Sequence, residues 1–195
     1  LKRVKEKYNL PDTYFFFLGN TDPKKNTIGT LKAFSDFLKQ TGSNHKLVML
    51  DYDKIELNKL LVEIKDTDLI NNIVLTGYVV NTDLPAIYAQ CDIFLYPSLR
   101  ESFGIPMLEA MSCNVPVITS NTSSMPEVAG DAAHIVDPFK SEEITQGIIK
   151  ILNDDAYRKS LCEKGLARSK QFSWNNMAKA YLKQYELIHT AHSKK

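Results

Sequence analysis

Short apolar runs alternate along this chain with stretches whose apolar residues recur every three or four positions. The run Tyr14-Phe15-Phe16-Phe17-Leu18 holds no charged residue and has the length of a buried strand. After it, Ile28, Leu31, Phe34 and Leu38 fall on one face of a helix predicted over residues 27–40. The alternation then repeats. Strands are predicted at 46–50, 73–76, 92–96, 115–119 and 133–136, with helices at 55–65 and 83–90 and another opened by Pro106. In the 83–90 helix Leu84, Ile87 and Tyr88 face inward. Three helices close the chain, at 141–152, 154–169 and 173–189. Ser141 followed by Glu142 and Glu143 reads as a helix start. Trp174 reads as a packing anchor at the head of the last helix.

Such alternation builds a parallel sheet. The expected fold is therefore α/β: a Rossmann-like doubly wound parallel sheet of about six strands with helices on both faces. Residues 1–195 are expected to form one domain, with a disordered tail at 192–195. Sheets of this kind bind ligands beyond the carboxyl ends of their strands. The loops after Leu18, Thr76, Tyr96 and Thr119 are therefore where chemistry is expected.

Composition narrows the ligand. The 195 residues carry 24 Lys plus Arg against 23 Asp plus Glu, a net charge of +1. Without a basic field, nucleic acid is excluded as the main partner. An anion must be held locally, by helix ends and a few lysines. Cys91, Cys113 and Cys162 are far apart and do not cluster with the histidines, so no metal site is expected and a reducing compartment is the simpler reading. No apolar run approaches the ~20 residues of a bilayer span, and no signal peptide is expected. Leu1 in place of a methionine is expected of a piece of a longer protein.

Two carboxylates stand out. Glu101 follows the 92–96 strand in a loop, and Glu109 is expected in the first turn of the next helix. Gly104 and Pro106 between them set a tight helix entry whose free amides suit an anion. Glu109 can accept hydrogen bonds from vicinal hydroxyls, while Glu101 reaches the group beyond. Each also has a plain explanation: Glu109 as a dipole partner, Glu101 as a solvated loop charge. The loop Gly19-Asn20-Thr21-Asp22-Pro23-Lys24-Lys25-Asn26 brings two lysines to a helix start, where Asn26 or Thr27 can cap. It suits a diphosphate, or is a turn with solvated lysines. It lacks the glycine spacing of a dinucleotide site. Gly77-Tyr78-Val79 can offer main-chain groups to a base, and the polar loop 120–127 can line the same cleft. His134 is read as a satisfied strand residue.

The segment from Tyr96 to Glu109 resembles the Glu-(seven)-Glu motif of retaining GT-B glycosyltransferases, specifically family 4 and its bacterial mannosyltransferase-like members. Gly19 to Asn26, Gly77-Tyr78-Val79 and the stretch from Ser123 to Ala133 are similar to further segments of that family. The resemblance implies transfer of a hexose, mannose favoured, from a nucleoside diphosphate sugar with retention. It implies that Glu109 binds the ribose and Glu101 contacts the transferred sugar. The amides of Ser102, Phe103, Gly104 and Ile105 would hold the sugar or diphosphate, and Tyr78 and Val79 would meet the base. Lys25 would neutralise the leaving diphosphate without a metal. Lys24 stands where the family often has arginine, and lacks its bidentate fork. The implied substrate is GDP-mannose, with no cofactor. Only the donor-binding half of such an enzyme is matched. The implied partners are an absent N-terminal Rossmann-like domain and, through it, a glycan or lipid-linked acceptor. The implied location is cytoplasmic, peripheral at the inner membrane face through that domain. A non-catalytic nucleotide-binding or interaction domain, and a synthase- or phosphorylase-like use of the fold, are the alternatives.

Overall fold

The computed structural model describes residues 1–192; the expected tail beyond His192 lies outside the described residues. The elements run α1 (Lys2–Lys7), β1 (Tyr14–Phe17), α2 (Thr27–Thr41), β2 (Lys46–Met49), α3 (Lys54–Glu63), β3 (Ile73–Leu75), α4 (Leu84–Tyr88), β4 (Ile93–Tyr96), α5 (Ile105–Ser112), β5 (Val117–Ser120), α6 (Met125–Ala129), β6 (His134–Val136), α7 (Ser141–Asn153), α8 (Asp155–Ser169) and α9 (Trp174–His192). Every strand pairing is parallel, and the sheet order is β3-β2-β1-β4-β5-β6. The expected doubly wound sheet is therefore present.

Burial follows position in the sheet. β1, β4 and β5 lie inside and every residue in them is buried, which is why two of the three read as unbroken apolar runs. The edge strand β3 is only half-buried throughout. Successive residues of β1 and β4 serve opposite faces. Tyr14, Phe16, Phe94 and Tyr96 join the core under α1, α4, α5 and α6. Phe15, Phe17, Ile93 and Leu95 join the core under α2, α3 and α7.

Several boundaries and roles differ from expectation. The predicted strand at 115–119 begins instead at Val117. Pro116 has no N–H to give a ladder, although its carbonyl still accepts from Phe94 N. α7 does start at Ser141 with Glu142 and Glu143 in its first turn, as expected, and Glu143 also accepts from the Asp137 amide. Trp174 is 81% exposed and anchors nothing. Ser173 Oγ, accepting from Asn176 N, marks the start of α9, and side chains 174–191 along this helix are exposed. No helix among the described residues is long and apolar enough to cross a membrane.

Candidate functional site

β1 and β4 are neighbours, but their chain connections run to opposite sides of the sheet, so the loops that follow them diverge and leave a crevice. The loop after β1 makes a short 3-10 turn at Pro23–Lys25, started by Asp22 Oδ1, which accepts from Lys24 N at 3.0 Å. Lys24 is exposed and its ammonium is held by Asp22 at 3.0 Å. Lys25 turns inward. Its Nζ lies 2.6 Å from Glu101 Oε1 and 5.3 Å from the centroid of the Tyr96 ring. Burial first, and the Glu101 charge second, raise the pKa of the Tyr96 phenol, so it stays protonated.

Asn26 follows in the left-handed conformation, with φ +57°. It stands at the cap position of α2, but its side chain makes no capping bond there. Instead Nδ2 donates to the Pro97 carbonyl at 3.0 Å and the Pro138 carbonyl at 2.7 Å. One buried amide thus ties together the loops after β1, β4 and β6. Gly19, at the head of its loop, is buried so tightly that a Cβ would sit 2.0 Å from the Phe17 ring.

The loop after β4 carries Glu101, and the loop after β5 holds it in place. Ser123 and Ser124 donate their hydroxyls to the Glu101 carbonyl at 2.5 and 3.0 Å, and Thr122 donates to the Leu99 carbonyl at 3.0 Å. The small polar residues expected to line the cleft therefore act by fixing Glu101. Gly104 then enters α5 with φ +98°, and a Cβ there would meet Met125 Cε at 2.5 Å. The amides of Ser102, Phe103, Gly104 and Ile105 donate to no acceptor among the described residues. Unpaired N–H groups at the positive end of a helix dipole are donors of the kind that attract an anion.

Glu109 is the fifth residue of α5, past the first turn where it was expected, because the helix starts at Ile105 with Pro106 second. A plain dipole role is correspondingly weaker. Its Oε2 accepts from Tyr88 Oη at 3.0 Å. Glu109 also lines a groove of about 890 Å³ between α5 and the α8–α9 junction, walled by Phe103, Ile105, Phe172, Trp174 and Met177.

The loop after β3 completes the edge. Gly77 has φ +66° and open space where a Cβ would point. Tyr78 is exposed, whereas Val79 is buried in the core and can offer a ligand only its main chain. Behind this turn, Asp83 accepts from Arg3 at 3.0 Å, Lys7 at 2.7 Å and Tyr8 at 3.0 Å. His134 is satisfied as expected, its Nδ1 lying 2.9 Å from Tyr157 Oη. Glu127 is exposed on α6, with its carbonyl bound by Arg168. Among the described residues no group of three His, Cys, Asp or Glu side chains is placed to hold a metal.

Sequence reasoning missed Asn26 as a loop tie, Ser123 and Ser124 as supports of Glu101, and Tyr88 as partner of Glu109. No local spacing announces them, since each bond spans at least twenty residues.

Residues 1–168 match the family of glycosyl transferases group 1. The chain is 38% identical over 186 residues to the O-antigen chain mannosyltransferase B of Escherichia coli, covering 95% of this chain and 49% of that protein. A glycosyltransferase of Rickettsia africae has the same fold at a TM-score of 0.79, with 23% identity over 96% of this chain and 51% of its own. Anabaena HepE, solved with UDP-glucose, superposes at 0.71 with 19% identity over 87% and 47%. The chain spans about half the length of each. Its match over most of its length to one family model, and at 38% identity to an Escherichia coli mannosyltransferase, places it among the group 1 glycosyl transferases.

Proposed function

We propose that this chain is the donor-binding half of a retaining mannosyltransferase that uses a nucleoside diphosphate sugar, GDP-mannose favoured. The observation that carries the reading is the set of four unpaired amides at Ser102–Ile105, set between Glu101 and Glu109. A diphosphate fits such a receptor, a ribose diol fits Glu109, and a hexose lies toward Glu101. Lys25 pairs with Glu101 at 2.6 Å. On donor entry Lys25 exchanges that carboxylate for phosphate oxygens, which frees Glu101 to accept from a sugar hydroxyl. Lys25 and the helix-end amides then stabilise charge on the departing diphosphate, the largest contribution expected of such a site. In this reading these donors take the part that a metal would otherwise play. Tyr78 and the main chain at Val79 take the base; Lys24 and Gly19 border the phosphates.

The acceptor, a glycan or lipid-linked sugar, belongs to an N-terminal Rossmann-like half, at the cytoplasmic face of a membrane. Length supports this, because the E. coli relative is about twice as long. So does α9, where Met177, Tyr181, Leu182, Tyr185 and Ile188 leave apolar surface exposed that a missing half would cover. The test is titration of this chain with GDP, UDP, ADP and their sugars. Binding of the guanosine compounds is expected; binding of none would overturn the reading.

A further inference from the structure

Tyr88 ends the short helix α4, and its ring is fully buried. Phe16 and Phe94 pack edge-on against it, with centroids 5.0 and 5.1 Å away. The hydroxyl emerges where α4 meets α5 and donates to Glu109 Oε2 at 3.0 Å. Glu109 is otherwise exposed, and its Oε1 has no hydrogen-bond partner among the described residues. An exposed glutamate on a helix samples several staggered rotamers. A donor fixed in the core selects one of them before any ligand arrives. Burial and the neighbouring carboxylate raise the phenol pKa, which keeps Tyr88 a donor throughout the neutral range.

We propose that Tyr88 is the positioning residue for the nucleotide-binding carboxylate. By occupying one lone pair of Oε2 it aims Oε1 and the remaining lone pair outward. The chain thereby distinguishes a ribose diol from a deoxyribose. This inference rests on the proposed role of Glu109 as the ribose acceptor.

The test compares the tightest binder among GDP, UDP and ADP with its 2′,3′-dideoxy form, on the chain, Tyr88→Phe, Glu109→Ala and the double variant. Phenylalanine keeps the ring packing, so the unfolding midpoint serves as a control for structure. Tyr88→Phe should weaken the ribose nucleotide roughly three- to tenfold, the worth of one hydrogen bond, and leave the dideoxy form unchanged. The double variant should bind as Glu109→Ala does. Equal weakening of both nucleotides by Tyr88→Phe would assign Tyr88 to packing and overturn the proposal. No weakening by Tyr88→Phe, with weakening by Glu109→Ala, would overturn it while sparing the role of Glu109. Unchanged affinity in Glu109→Ala, or no binding of any nucleotide, would remove both.

Discussion

Lys25 Nζ and Glu101 Oε1 meet at 2.6 Å, joining loops that leave two adjacent strands in different directions. Both side chains are largely sheltered, at 17% and 12% exposure. Removing either leaves the other charge without its partner. In the proposed full-length enzyme Lys25→Ala should lower turnover by about 100- to 1000-fold, the range for losing one stabilising donor. Glu101→Ala should also act mainly on turnover. Steady-state transfer assays would show it, and a change confined to KM would contradict the hand-over of Lys25 from Glu101 to phosphate. Because the proposed charge stabilisation uses these groups and no metal, EDTA should leave turnover unaltered.

Glu109→Ala should weaken nucleotide binding by about 1.5–3 kcal/mol, roughly 10- to 150-fold. Calorimetry on this chain reads that loss directly. Unaltered affinity would remove the ribose assignment.

Gly104→Ala forces a side chain into φ +98° and against Met125. The strain should lower stability by about 1–3 kcal/mol and shift the amides proposed to hold the diphosphate. Denaturant unfolding and nucleotide titration should therefore both respond. A variant as stable as the parent would mean that Met125 and the loop adapt freely.

The Asp83 cluster gives a pH signature. Hydrogen bonds from Lys7 foremost, then Tyr8, with the nearby Arg3 charge, hold this carboxyl below its usual pKa. A depressed carboxyl stabilises the fold fully above its unfolded value, near 3.9, and loses that contribution as pH falls through the folded value. Asp83→Asn should thus be less stable at neutral pH, and the gap from the parent should narrow below about pH 4. Unfolding curves from pH 7 to 3 test it; parallel curves would exclude Asp83 as a source of acid sensitivity.

Polar replacements of Leu182, Tyr185 and Ile188 should change the stability of this chain by no more than about 0.5 kcal/mol, as for exposed positions. The same replacements should weaken its association with a separately produced N-terminal half. Pull-down and thermal unfolding separate the two effects, and undiminished association would place the interface elsewhere.

The central strands and most helices were legible because burial on both sides of β1 and β4 demands unbroken apolar runs. Helix α1 was not. It is short and mostly charged, with Val4 its only buried residue, and tertiary ion pairs to Asp83 hold it. At the site, Glu101, Gly104 and Lys25 could be found because loop position and residue type suffice to nominate them. Tyr88 could not, since its apolar ring predicts burial and says nothing of where the hydroxyl emerges. Trp174 misled for the converse reason: size argues for packing only when a packing surface is present in the same chain.

The placement of β1 has a consequence for how the chain is made. Tyr14–Phe17 can pair with β2 soon after synthesis, but the other edge waits for Ile93–Tyr96. Until then a run of four aromatic residues has one open, unpaired side. That interval is when the nascent chain is most exposed to mispairing. The same delay means that the crevice between β1 and β4 cannot exist on a half-made domain, so the emerging protein has no ligand site to fill before its central strands have met.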